Sequence, residues 1–170
     1  MNRRKLLTSS GISAGVISIG TAGYVRYSSD MNITVPSQVS EFSFETENPP
    51  VGWYLEGNGI GPEDNPQITH QADTSPEIKI SGTLFIGSRN CEKAIVDELT
   101  YDDSDSTIRV IVTWANQSMT ISERLQGRLC REALASARYT IKMTVEDHIR
   151  SIDVIERDYR GNKYSSQESL

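Results

Sequence analysis

The sequence predicts an all-β, mainly antiparallel domain, a single sandwich of roughly six to eight strands behind an N-terminal signal segment. Three observations carry this. Apolar residues recur at every second position in several stretches between Ile78 and Ile155. Short clusters of turn-forming residues separate those stretches. The only two cysteines, Cys91 and Cys130, fall within the richest part, from Cys91 to Arg157. In a half-buried strand side chains alternate between core and solvent, so a period of two is the expected mark. At 170 residues the chain has room for one domain and a tail.

The first 24 residues read as an export signal. Arg3, Arg4 and Lys5 precede Leu6-Leu7, and an uncharged stretch rich in Gly, Ser and Ala runs to Val25. Gly11, Gly15, Gly20 and Gly23 make it too weakly apolar for a comfortable membrane span. A basic start, mild apolar centre and small-residue end describe a secretory signal, and the Arg3-Arg4 pair resembles a twin-arginine (Tat) signal. Thr21-Ala22-Gly23 is followed by Tyr24, where lipid attachment would need a cysteine. Cleavage near Gly23 or Tyr24 is expected, with retention as an anchor the alternative. This segment takes three of the 17 basic residues and none of the 23 acidic ones, so the remainder stands at 14 against 23, net −9. An acidic body argues against nucleic acid and anionic lipid as partners, and suits a protein kept soluble in high salt.

Residues 25–40 are polar and read as a linker. Glu41 to Glu47 alternates Phe42 and Phe44 with acids, a first strand ended by Asn48-Pro49-Pro50. Trp53-Tyr54-Leu55 is a short apolar patch. Gly57-Asn58-Gly59-Ile60-Gly61-Pro62 is a loop: acids follow it, and no Lys-Ser/Thr ending suits it to phosphate. After a turn at Asp73 to Pro76, Ile78, Ile80, Leu84 and Ile86 mark a strand. Ile95, Leu99 and Tyr101 share a face broken by Asp97, and Ile108, Val110, Val112 and Trp114 alternate with Arg109, Ile111 and Thr113. Asp102-Asp103-Ser104-Asp105-Ser106 between them makes a hairpin. Ser122 to Leu129 reads as loop or short helix.

The longest alternation runs from Glu132 to Val145, with Ala133, Ala135, Ala137, Tyr139, Ile141, Met143 and Val145 on one face and Leu134 its single exception. A turn at Glu146-Asp147-His148 and a strand from Ile152 to Ile155 predict a second hairpin. The divisions are therefore 1–24 signal, 25–40 linker, 41–165 disulfide-closed β-domain and 166–170 tail.

In an oxidising compartment two cysteines pair, so Cys91 and Cys130 are expected as a structural disulfide. Closing that loop stabilises by about 4 kcal/mol on the chain-entropy argument. A redox pair would favour Cys-x-x-Cys spacing, and a metal site would need more ligands than His70 and His148, both read as loop residues. The order Cys91, Trp114, Cys130 echoes immunoglobulin domains, but Trp114 lies too far from the first cysteine to match. Asp102, Asp103 and Asp105 are weak candidates for calcium; an EF-hand's central glycine is missing and Trp114 stands where its closing glutamate would be. No Gly-x-Ser-x-Gly or His-Glu-x-x-His frames a catalytic site, so no catalytic residue and no cofactor are expected. Asn32 and Asn116 begin glycosylation sequons.

Gly87-Ser88-Arg89-Asn90-Cys91, the acidic hairpin from Tyr101 to Thr107, Cys130 and the alternating strand from Tyr139 to Val145 resemble a group of small exported proteins of halophilic archaea. The likeness spans residues 84–158, about half the chain, and departs from that group at Tyr24 and in a less acidic body. It implies location and fold and brings no activity. The expectation is an exported envelope or surface module without catalysis, its partner an envelope protein or glycan, touching membrane only through an uncleaved N-terminus. The alternative is a small exported enzyme or metal-binding protein using the acidic tip or His148.

Overall fold

The computed structural model describes residues 25–26, 33–49, 59–71, 77–88, 91–117 and 134–170. Among the described residues there are nine strands and no helix: β1 (Val25–Arg26), β2 (Val39–Glu47), β3 (Gln67–Gln71), β4 (Glu77–Ile86), β5 (Glu92–Asp102), β6 (Thr107–Asn116), β7 (Ala135–Val145), β8 (Ser151–Arg157) and β9 (Lys163–Ser169). They form a five-stranded sheet in the order β1-β2-β7-β4-β3 and a four-stranded sheet in the order β5-β6-β8-β9. Only β1–β2 and β6–β8 pair in parallel. The expected β-sandwich is what the chain forms.

Strand β7 explains the arrangement. Ala135, Ala137, Tyr139, Ile141, Met143 and Val145 are buried, while Arg138 and Lys142 are exposed. It pairs with β2 on one side and β4 on the other, which puts Phe44, Ile141 and Ile80 in one register row. The rings of Phe44 and Tyr139 stack with centroids 6.1 Å apart. From the second sheet Val96, Leu99, Ile108, Val110, Val112, Ile152 and Val154 complete the core. Fully burying each such side chain contributes about 1.5–3 kcal/mol, so this shared core is the main source of stability.

Two local expectations fail for physical reasons. In β5 the buried apolar residues are Ala94, Val96 and Leu99, with Ile95 only half-buried. The register shifts between Val96 and Glu98, so Asp97 is an extra residue that exchanges the two faces; strict alternation cannot cross a bulge. The hairpin expected from β7 into β8 does not form. Its turn is present, with the Ile149 N–H donating to the Glu146 carbonyl at 3.1 Å. Both edges of β7 are already taken, however, so β8 crosses to the other sheet and pairs in parallel with β6, Ile108 beside Ile152 and Val110 beside Val154. Buried Ile149 and the Arg150 N–H bonded to the Ser106 carbonyl (2.9 Å) fix that crossing.

The expected linker and tail both hold structure. Val25–Arg26 pairs with β2, Ile33 and Val35 lie against the core, and β9 continues to Ser169. Strand β9 has no apolar stripe to betray it; its ladder with β8 defines it. Near β3 the sheets are stitched by Tyr159 N–H to the Phe85 carbonyl (2.9 Å), Arg160 with Glu63 (3.4 Å) and the Ser166 hydroxyl to the Pro66 carbonyl. Trp53-Tyr54-Leu55, Ser122 to Leu129 and the signal segment lie outside the described residues.

Replacing Ile141 by alanine is expected to lower unfolding free energy by about 2–5 kcal/mol in urea titrations, whereas Leu134→Ala, at a position 39% exposed, shifts it by no more than about 0.5 kcal/mol. Equal effects would contradict this placement of the core.

Candidate functional site

The residues singled out in the sequence do not converge. Asp102 closes the β5–β6 turn, its Oδ1 accepting from the Ser104 hydroxyl (2.7 Å) and the Ser104 N–H (2.9 Å). Those bonds, the hydroxyl's first, hold its carboxyl below the usual range. Asp103 and Asp105 share the same open depression with Arg109. Among the described residues no group of three or more His, Cys, Asp or Glu side chains is placed to hold a metal ion. His148 pairs with Glu146 (3.2 Å), meets the Tyr101 ring edge-on and leaves half its side chain in solvent. His70 is a strand residue, on β3 facing Glu168 at 3.9 Å, and not a loop residue. Asn116 is exposed at the end of β6. Trp114 is half-buried, its ring edge-on to Tyr159.

Cys91 is buried where the chain passes from the first sheet to the second. The Gly87-Ser88-x-x-Cys91 pattern is a turn with a structural purpose. The N–H groups of Cys91 and Glu92 both donate to the Ser88 carbonyl, and the Ser88 N–H donates back to the Glu92 carboxylate. A side chain at Gly87 would run into that carboxylate and the Tyr159 ring. Cys130, Arg3, Arg4 and Asn32 lie outside the described residues.

A concave surface does exist, on the outer face of the five-stranded sheet. The side chains opposite the core stripes emerge there: Glu45 and Glu47 from β2, Arg138 and Thr140 from β7, Lys79 and Ser81 from β4. With Gly59 and Ile60 at its rim they line a groove of 500 Å³. Register sets the charge pattern. Glu45 lies opposite Thr140 and thus diagonal to both Arg138 and Lys142, while Lys79 lies directly opposite Lys142. Glu47 and Arg138 form an ion pair. A second depression of 400 Å³ continues the face past Glu41, Ser43, Lys142 and Glu77. Glu41, Glu45 and Glu47 therefore line the β2 side, Arg138 and Lys142 the central strand β7, and Lys79 and Glu77 the β4 side. Among the described residues no histidine or cysteine lines either hollow; Ser81 and Thr140 supply hydroxyls to the first.

Beneath the groove floor lies a group the sequence reading missed. Glu156 points inward from β8 after Ile152 and Val154 and is fully buried. Its carboxyl and the Tyr139 hydroxyl converge on Gly82, where an added Cβ would strike both. Among the described residues neither has a hydrogen bond of standard geometry. Burial pushes the Glu156 carboxyl up to about 8; the nearby Tyr139 hydroxyl works against that shift and the charge of Asp158 adds to it. Tyr139 is driven well above its ordinary value, by burial first and then by Glu156. Two signals were legible: an acid at the next position of β8's apolar face, and Gly82 interrupting the stripe Ile78, Ile80, Leu84, Ile86. A missing side chain on one sheet leaves room for a long one from the other.

Comparison of the chain with protein-family models, curated protein sequences and solved structures finds no match. Replacing Gly82 by alanine is expected to cost about 1–3 kcal/mol in chemical denaturation through overpacking, and distinctly less in a Glu156→Ala background, where the obstructing carboxyl is gone. Equal costs in the two backgrounds would count against the convergence at Gly82.

Proposed function

We propose that the protein is an exported envelope module without catalytic activity, which holds an envelope protein or glycan on the outer face of its five-stranded sheet. The observation that carries this is the 500 Å³ groove, in which Glu45, Glu47, Lys79 and Arg138 are interleaved with Ser81 and Thr140. Mixed charges and hydroxyls on a rigid sheet favour a polar, hydrogen-bonding partner over an apolar one. The alternative, an enzyme or metal-binding protein, would use His148 or the tip acids, which line an open depression beside Arg109. Half of the His148 side chain is in solvent, and Asp102 is engaged by Ser104.

Export is supported by the Arg3-Arg4 signal and by the contrast between that segment and the acidic remainder. The proposed Cys91–Cys130 disulfide would anchor the start of β5 to the segment ahead of β7, adding about 4 kcal/mol by restricting the unfolded chain. The acidic body and the likeness to exported halophile proteins support a salt-rich setting. Exposed Asn116 suits an acceptor of N-linked glycan.

The exported protein should cosediment with isolated cell envelopes, and a Lys79→Glu/Arg138→Glu variant should be retained about tenfold less, equivalent to roughly 1.4 kcal/mol, with unchanged circular dichroism. Equal retention of both proteins, or of neither, would refute binding through this face. Intact mass should begin near Tyr24, with thiol alkylation only after reduction; a retained residue 1 and freely alkylated cysteines would refute cleavage and pairing and leave the protein anchored or never exported.

A further inference from the structure

The buried acid of β8 has no part in the binding surface and needs a reason of its own. Its surroundings can be enumerated. From β7 the Tyr139 hydroxyl faces it; from β4 the neighbour is Gly82, which has no ionisable group. In its own sheet Glu156 is flanked by Val112 on β6 and Tyr164 on β9. Along its own chain Asp158 follows, its carboxylate accepting from the Asn162 N–H (2.7 Å) and side-chain amide (3.1 Å). The charges beyond Tyr164 are Glu63 and Arg160, which pair with each other at 3.4 Å while the Arg160 guanidinium sits 4.2 Å from the centre of the Phe85 ring. No cation among the described residues meets the Glu156 carboxyl.

From this geometry we infer that Glu156 is a proton-operated latch between the two sheets, closed while its carboxyl is neutral against Tyr139 and released when that proton is lost. A neutral carboxyl has one O–H to donate, and the phenol oxygen is the polar atom within its reach, so a small rotation of either side chain makes the bond. An ionised carboxylate there would be a fully buried charge with no cation beside it among the described residues, and such a charge is expelled or neutralised. Gly82 and Tyr139 also belong to the groove floor, so the latch lies directly under the outer face.

The sign follows from linkage. The carboxyl titrates near 8 when folded and from 4.5 when unfolded. The folded state thus keeps a proton that the unfolded state gives up. This contribution is intact below the unfolded value, declines through the interval between the two, and is lost above the folded value. The folding equilibrium constant should fall by roughly 400-fold between pH 5 and pH 8.

The test compares urea unfolding of the whole exported protein and of Glu156→Gln from pH 5 to pH 9, together with an infrared titration of the unaltered protein. The wild-type midpoint is expected to drop as pH rises towards 8 while that of Glu156→Gln stays level. The infrared spectrum should show a protonated-carboxyl stretch at pH 6 that disappears around pH 8. Parallel pH profiles for the two proteins would overturn the latch. So would absence of the protonated band at pH 6, a readout that stands even where the variant fails to fold.

Discussion

Everything in this fold depends on β7 being paired on both edges and buried on one face. Its neighbours β2 and β4 complete the first sheet around it, and its inward stripe from Ala135 to Val145 is the surface on which the second sheet rests. With no edge left open, the chain leaving Val145 must change sheets, and that puts β8 beside β6 in the less common parallel sense. The inward face of β7 is committed to packing, and its outward one, with Arg138, Thr140 and Lys142, belongs to the surface proposed above for a partner. Fold and candidate function thus come from opposite sides of one strand.

Magnitudes decide which interactions hold this arrangement. Buried Ile, Val, Leu and Phe from both sheets each contribute a few kcal/mol, against a backbone ordering cost of about 1–2 kcal/mol per residue. Surface pairs such as Arg157 with Asp97 (3.9 Å) are separated by solvent-accessible paths and contribute little. At molar ionic strength screening shortens to about 3 Å, and such pairs weaken further. Glu156 escapes that screening because it is buried, which makes it an electrostatic group whose state still matters at high salt.

The sequence was most readable where period and burial coincide. β4, β6 and β7 showed their core faces by alternation alone, and the aspartate cluster located the β5–β6 turn. It was unreadable where pairing, not side-chain pattern, defines the element: β9 is Lys163-Tyr164-Ser165-Ser166-Gln167-Glu168-Ser169, polar throughout, and its ladder with β8 makes it a strand. At Asp97 a single extra residue exchanged the faces of β5, something no period-two count anticipates. The outer groove could not be seen at all, because Glu45, Lys79 and Arg138 come from three strands and meet only through register. Conversely, the residues that stand out in the sequence for their chemistry, His148 and the three tip aspartates, lie at or beside turns, where Asp102 accepts from Ser104 and His148 meets Glu146.

The most direct measurement is lysine acetylation of the exported protein, mapped by mass spectrometry with and without isolated envelopes. Lys79 and Lys142 lie on the proposed binding face, and Lys163 on the outer side of the other sheet. The account requires envelopes to slow labelling of Lys79 and Lys142 severalfold while Lys163 reacts unchanged. Protection confined to Lys163, or labelling of all three unaffected by envelopes, would contradict it.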